Sequence, residues 1–127
     1  MNALSDFVAH VLDLLAGWGG VFARRMFSGY GLFRGGTMFA LIAHDRLYLK
    51  ADERNHAGFE AAGMQPFVYR RQSEDVALSY WEAPPELFDD AEVMVAWAQR
   101  ALDAALAKHR SNPTRRKKRQ AAKPQRR

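Results

Sequence analysis

The sequence predicts an α+β domain, a two-layer sandwich in which helices cover one face of a largely antiparallel sheet. Apolar residues recur at helical spacing near both ends of the folded part, whereas the middle of the chain holds short apolar runs and alternating segments. Turn sequences such as Gly35-Gly36 and His44-Asp45 separate these segments, which is typical of a β-meander. The predicted order of elements is α-β-β-β-β-α-β-β-α.

The first helix is predicted from about Leu4 to Ala16, and Gly17 stands where its end is expected. Its apolar face consists of Leu4, Phe7, Val8, Val11, Leu12 and Leu15. Four strands are then predicted at Val21–Phe27, Tyr30–Arg34, Thr37–Ala43 and Arg46–Lys50. The third of these is apolar on both faces, which favours a central place in the sheet.

The second half of the chain repeats this alternation of helix and strand. Asp52 is expected to cap a short helix over about Glu53–Ala62, which Gly63 ends. Two further strands are predicted at Pro66–Gln72 and Val76–Glu82.

A last helix is predicted over about Asp90–His109, capped by Asp89 or Asp90. Its apolar stripe is formed by Met94, Trp97, Ala98, Ala101, Leu102, Ala105 and Leu106. We therefore expect one folded domain over residues 1–110.

Positive charge is concentrated at the C-terminus. The chain has 19 Lys and Arg, 14 Asp and Glu and a net charge of +5; residues 111–127 hold eight of the basic residues and no acid. The remaining 11 basic residues face all 14 acids, so residues 1–110 carry about −3 and the tail about +8. Two prolines and dense like charge predict a disordered basic tail over residues 111–127.

Nucleic acid is one expected partner of this tail. The candidate contacts are Arg115, Arg116, Lys117, Lys118, Arg119, Lys123, Arg126 and Arg127. Such binding would be non-specific for DNA or RNA, because phosphate contacts carry no sequence information. Attraction to an anionic lipid surface, or a solubilising role with no partner, are the alternatives.

Four blocks of the sequence carry a family resemblance. They are Arg24–Phe27, Gly29–Gly31, Met38–Ile42 and Leu47–Lys50. Together they resemble the N-terminal domain of the TfoX/Sxy family, bacterial proteins associated with regulation of natural competence, over roughly residues 3–108. The resemblance implies a two-layer α/β sandwich. Full-length competence regulators of this family carry a second, C-terminal domain. Here the matching region is followed only by the basic tail, so we expect a stand-alone N-terminal-domain protein.

Two motifs within these blocks have both a structural and a functional interpretation. Gly29-Tyr30-Gly31 lacks the third glycine and the following helix of a dinucleotide-binding loop, so we expect turns or close approach of strands, with a groove beside Tyr30 as the alternative. Arg24 and Arg25 are adjacent in a strand and should point to opposite faces. We expect the one against the helical layer to pair with a carboxylate. Arg24, Arg25, Phe27 and Tyr30 form the candidate partner-binding group.

Composition and spacing exclude several classes of chemistry. The absence of cysteine rules out disulfides, thiolate zinc sites and a cysteine nucleophile. The four histidines lack metal-ligand spacing, and no serine lies in Gly-x-Ser-x-Gly. We therefore expect no catalytic residue, no metal and no cofactor. We also expect no membrane span and a cytoplasmic location, because the longest apolar run is far too short.

The function predicted from these features is a non-enzymatic regulatory or interaction module. Its folded domain would contact a protein partner or itself, and an exposed aromatic sheet face would suit a homodimer. Its tail would add non-specific nucleic-acid affinity. A structural dimer whose tail does little, and a small ligand-binding protein or enzyme with a groove near Arg25 and Tyr30, are the alternatives.

Overall fold

A computed structural model of the protein describes residues 5–26, 29–71 and 74–111. Its helices are α1 (Asp6–Leu15), α2 (His56–Ala61) and α3 (Ala91–Ser111), and a 3₁₀ helix spans Pro85–Asp89. Its strands are β1 (Val21–Met26), β2 (Gly29–Arg34), β3 (Thr37–Ala43), β4 (Arg46–Lys50), β5 (Pro66–Arg71) and β6 (Glu74–Glu82). They form one open sheet in the order β1-β2-β3-β4-β6-β5, and every neighbouring pair is antiparallel. The predicted α+β class and element order are confirmed.

Local side chains define where the two long helices begin. The Ser5 hydroxyl accepts a hydrogen bond from the amide of Val8 and caps α1. The Asp90 carboxylate accepts bonds from the amides of Glu92 and Val93 and caps α3, as predicted. Both caps satisfy amide groups that the first turn of a helix leaves without partners.

The second helix begins later than predicted. The Asp52 carboxylate accepts bonds from the amide and guanidinium of Arg54 instead of capping a helix. The Asn55 side chain accepts from the Asp52 amide and donates to the Lys50 carbonyl. These contacts hold residues 52–55 in a turn, so the predicted start at Glu53 is wrong and α2 begins at His56.

The two predicted hairpin turns are tight and have left-handed backbone. Gly35 and Gly36 have φ of 61° and 81° between β2 and β3. His44 and Asp45 have φ of 54° and 57° between β3 and β4, a conformation that ordinary L-residues rarely adopt. Two residues with positive φ match the strand twist of a hairpin, which explains why each loop is only two residues long.

The hydrophobic core lies between the sheet and the helices. Small residues on α3 let this helix lie close to β3 and β4, while α1 packs on α3 and β1. A register shift between Leu32 and Phe33 against β3 lets Phe39 as well as Ala40 enter the core. The buried cluster includes Val8, Val11, Leu15, Leu32, Phe39, Ile42, Leu47, Leu49, Phe59, Leu87, Met94, Ala98 and Ala101.

The other side of the sheet, which we call the outer face, has none of the described helices packed on it. Alternation along the strands sends Leu47 and Leu49 into the core and leaves Tyr48 half-buried on the outer face. Phe22 on β1 also lies on the outer face and is 49% exposed, whereas its neighbours Val21 and Ala23 pack against the core. The described helices therefore cover the sheet on one side only.

The remaining differences from the predicted elements are small. β6 begins at Glu74, two residues before the predicted start, and α3 continues to Ser111. The 3₁₀ helix was not predicted; it begins at Pro85, directly after Pro84, and a proline pair cannot continue the ladder of β6. Leu4, Phe27, Gln72 and residues 112–127 lie outside the described residues.

Candidate interaction surface

Strand register lines up one row of residues across the outer face. Consecutive antiparallel pairs join Arg24 to Gly31, Gly31 to Leu41, Leu41 to Tyr48 and Tyr48 to Glu82. Directly paired residues in neighbouring strands lie on the same face of a sheet. This outer-face row therefore runs from a guanidinium on β1, across an apolar centre, to a carboxylate on β6.

Beside this row lies an apolar group, Phe22, Met26, Phe33 and Met38, which we call the outer-face cluster. The rings of Phe22 and Phe33 stack with centroids 5.4 Å apart. A methyl group at Gly31 would lie 2.9 Å from Sδ of Met26, 3.0 Å from Sδ of Met38 and 3.1 Å from the Phe33 ring. The side chains of Met26, Met38 and Phe33 therefore converge over Gly31, which has no side chain of its own. Phenylalanine and methionine together make an adaptable contact surface.

The predicted partner-binding group divides between the two faces of the sheet. Arg24 lies on the outer face, with its guanidinium carbon 5.5 Å from the centre of the Phe33 ring. Arg25 lies on the helical side, where its guanidinium donates to the Tyr30 hydroxyl at 3.0 Å. The alternation of the two arginines is as predicted. Phe27 lies outside the described residues.

The sequence analysis expected the arginine on the helical side to pair with a carboxylate, and the described contacts of Arg25 correct this expectation. Arg25 is exposed at the edge of the helical layer, and its described contacts are the hydroxyl and ring of Tyr30. Neither Arg24 nor Arg25 forms an ion pair among the described residues. Because β1 is the edge strand of the sheet, solvent hydrates these guanidinium groups and a buried counter-charge is not required.

The opposite end of the outer-face row is polar and aromatic. Arg46 and Glu82 form an ion pair at 2.9 Å, and the ring of Tyr48 packs edge-on against Phe67 at 4.8 Å. Burial raises the pKa of the Tyr48 phenol, the nearby carboxylate of Glu82 raises it further, and the guanidinium of Arg46 opposes the shift. Glu82 therefore supplies a carboxylate at this end of the row, where it is paired with Arg46.

Tyr80 and Lys50 flank the same end of the row. Their strands pair at these two residues, and the lysine amine lies 5.1 Å from the centre of the Tyr80 ring. The amine also donates to the Ser79 hydroxyl. Burial raises the pKa of the Tyr80 phenol. The face of the Tyr80 ring is in cation–π contact with the Lys50 amine.

A cleft of about 330 Å³ lies on the helical side of the molecule, between α2 and α3. It is lined by Arg54, Asn55, Gly58, Trp97 and Arg100. Its polar groups are engaged within the fold: the Arg54 guanidinium bonds the Asp52 carboxylate and the Asp103 carbonyl. Its lining residues do not include Arg25 or Tyr30, near which the sequence indicated a groove.

The structure identifies interaction residues that the sequence analysis missed. The sequence analysis expected an exposed aromatic sheet face but did not identify the residues of the outer-face cluster. The alternation of Phe22, Arg24 and Met26 along one strand was the signal that could have found it. The eight candidate basic residues of the tail, Arg115 to Arg127, lie outside the described residues.

Metal-ligand groups and membrane-spanning helices can be assessed for the described residues. Within them, no three His, Asp or Glu side chains are grouped closely enough to hold a metal ion. None of the helices in this part of the chain combines the length and apolarity needed to cross a membrane.

These features define a class of protein: a small α+β domain with one helical layer and an open, apolar sheet face bordered by charge. The chain belongs to the TfoX N-terminal domain family, whose model matches residues 13–105. The match begins within α1 and ends within α3, so it covers the whole sheet. A comparison with curated proteins finds no match. Membership of this family supports a regulatory or interaction role.

Proposed function

We propose that this protein is a non-enzymatic regulatory module in which the outer face binds a protein partner or a second copy. The basic residues beyond 111 supply non-specific affinity for nucleic acid. The observation that carries the proposal is the outer-face cluster, where stacked Phe22 and Phe33 lie on an uncovered sheet beside Arg24. Aromatic residues, methionine and arginine are the types enriched in the cores of protein interfaces.

Burial of this cluster would supply the free energy for binding. Phe22 is 49% exposed and its ring neighbour Phe33 is half-buried, so both retain apolar area that a partner can remove from water. Removing apolar area from water contributes about 25 cal/mol per Å² before the entropic costs of association. The surface therefore fits a partner with its own apolar patch.

The second part of the proposal is electrostatic and concerns the tail. Eight basic residues without an acid follow a domain of net charge about −3. Five phosphate contacts would give a slope of roughly −4.5 for log K against log salt on duplex DNA. The domain would then be tethered to nucleic acid while its outer face remains free for protein contacts.

Neutralising part of the tail in the full chain tests this function. We expect replacement of Arg115, Arg116, Lys117, Lys118 and Arg119 by glutamine to abolish most binding to a mixed-sequence duplex in fluorescence anisotropy. The salt slope should become shallower in proportion to the charge removed, by up to about 4.5 for five residues. A chain truncated at Ser111 should behave in the same way.

A matched control removes positive charge from the folded domain instead. Arg25→Gln combined with Arg100→Gln takes away two exposed guanidinium groups and should leave the salt slope nearly unchanged. Nucleic-acid binding that survives neutralisation of the tail, or that the control removes equally, would contradict the proposed role of the tail.

A further inference from the structure

The outer-face row is charged oppositely at its two ends, and this makes it complementary to itself. Arg24 lies on β1 and Glu82 on β6, with β2, β3 and β4 between them. Leu41 on β3 is the middle residue of the five. A twofold axis along β3 through Leu41 would place β1 of one chain over β6 of a second chain.

We propose that the protein forms a face-to-face homodimer in which Arg24 of each chain pairs with Glu82 of the other. This assignment rests on the proposed function of the outer face as the contact surface. The symmetry is isologous, so each dimer contains the ion pair twice, and the two Leu41 side chains meet on the axis.

The distance between two packed sheets is compatible with this pairing. Sheets that pack face to face lie about 10 Å apart with their strands within about 30° of each other. An arginine and a glutamate that extend toward each other can span that gap. Glu82 bonds Arg46 through Oε2, so Oε1 remains to accept a bond from Arg24 of the second chain.

The same operation buries the apolar part of the face. The outer-face cluster lies on β1, β2 and β3, and it would cover the side of the second chain that holds Tyr48 and Tyr80. Five strands about 4.8 Å apart and about 20 Å long present roughly 500 Å² in projection, and the accessible area of such a face is larger. Interfaces of standard size remove roughly 600–1,000 Å² of accessible surface from each partner, so the projected area of this face lies just below the lower end of that range.

Charge favours a second copy over the other possible occupants. The basic tail would meet Arg24 and Arg46, which have the same sign. A nucleic acid would meet the carboxylate of Glu82 at the centre of one end. A second copy brings an Arg24 to the Glu82 at each end of the row, where the carboxylate would lie between the guanidinium groups of Arg46 and Arg24.

Charge reversal in the full chain tests the pairing by analytical ultracentrifugation. We expect the wild-type chain to be a dimer, and Arg24→Glu or Glu82→Arg to raise the dimer dissociation constant at least tenfold. Mixing the two single variants should restore association as a heterodimer, because each chain then supplies the charge that the other needs. The double variant should dimerise within a few-fold of wild type.

Arg25→Glu is the matched control, since this neighbouring exposed arginine lies on the helical side of the sheet. Its dissociation constant should equal that of wild type. A monomeric wild type, an equal effect of the control, or failure of the mixed variants to associate would overturn the homodimer. So would a loss of duplex binding by Arg24→Glu without any change in association, because the occupant would then be nucleic acid.

A crosslinking experiment locates the axis independently of charge. The chain has no cysteine, so Leu41→Cys introduces a unique thiol at the proposed axis. A short bis-maleimide should give a covalent dimer with Leu41→Cys but little with Asp13→Cys on exposed α1. Equal crosslinking of both variants would overturn the proposed geometry. Tail binding to duplex DNA is measured separately, so failure of the dimer and failure of the proposed function give different results.

Discussion

The two glycines of Gly29-Tyr30-Gly31 should respond very differently to the same substitution. A methyl group at Gly29 would collide with the backbone carbonyl of Ile42 on β3. A methyl group at Gly31 would instead meet side chains only, namely Sδ of Met26, Sδ of Met38 and the edge of the Phe33 ring. Both substitutions lower the entropy of the unfolded chain equally, so a comparison of the two isolates the native-state effect.

The cost at Gly29 follows from what must move. To restore an ordinary contact between the new methyl group and the Ile42 carbonyl, β2 and β3 must separate locally by roughly 1 Å or more. That movement weakens one or two ladder hydrogen bonds, each contributing about 1 kcal/mol, and loosens the packing of Tyr30. We expect Gly29→Ala to cost about 2–4 kcal/mol, whereas Gly31→Ala costs less than about 1 kcal/mol because methionine ends can rotate.

Urea denaturation followed by tryptophan fluorescence measures both free energies of unfolding. The midpoint of Gly29→Ala should fall while the slope against urea stays that of wild type, since the surface exposed on unfolding is the same. Free energies for Gly29→Ala and Gly31→Ala that agree within about 0.5 kcal/mol would refute this explanation of the motif.

Two smaller predictions concern the turns at Asp45 and Asp52. Asp45→Gly should raise the unfolding free energy by about 0.5 kcal/mol, because glycine tolerates the φ of 57° at this position; a decrease in a urea titration would contradict it. The hydrogen bond from Arg54 lowers the pKa of Asp52, so this contact stabilises the fold above the ordinary carboxyl pKa and is lost as pH falls through the folded pKa. Arg54→Ala should raise the pKa of Asp52 in a carboxyl NMR titration, and an unchanged pKa would refute the assignment.

Local sequence patterns were sufficient to predict most of the elements. The alternation that sends Leu47 and Leu49 inward defined β4 to the residue, and the apolar run of β3 predicted its central position. Helical spacing on α3 identified the buried residues Met94 and Ala98. These predictions succeeded because burial of one face is a local property of periodicity.

Other features depend on individual side-chain contacts, which hydrophobic periodicity does not report, and could not be predicted in the same way. The start of α2 is set by Asn55, which reaches back to the Lys50 carbonyl and competes with helix formation at Asp52. Arg34 illustrates the same limit, since its guanidinium bonds the Gly19 carbonyl and lies 4.4 Å from the centre of the Trp18 ring. The Arg34 contact joins residues 15 apart in the chain and has no signature within a short window of sequence.

The charge arrangement of the outer face is a consequence of strand order. After β4 the chain passes through α2 to the far edge of the sheet as β5, and β6 then returns between β5 and β4. Only this order makes Glu82 the neighbour of Tyr48 and places a carboxylate at one end of the outer-face row. If β5 paired with β4 instead, its sequence PFVYRR would offer no acid at that position, and both ends of the row could not be oppositely charged. A shift of β6 by two residues would put Tyr80 opposite Tyr48 and remove the carboxylate from the row. The complementarity of the face to itself is thus encoded in topology and register together, which is why charge reversal at Arg24 and Glu82 tests the fold and the interface at once.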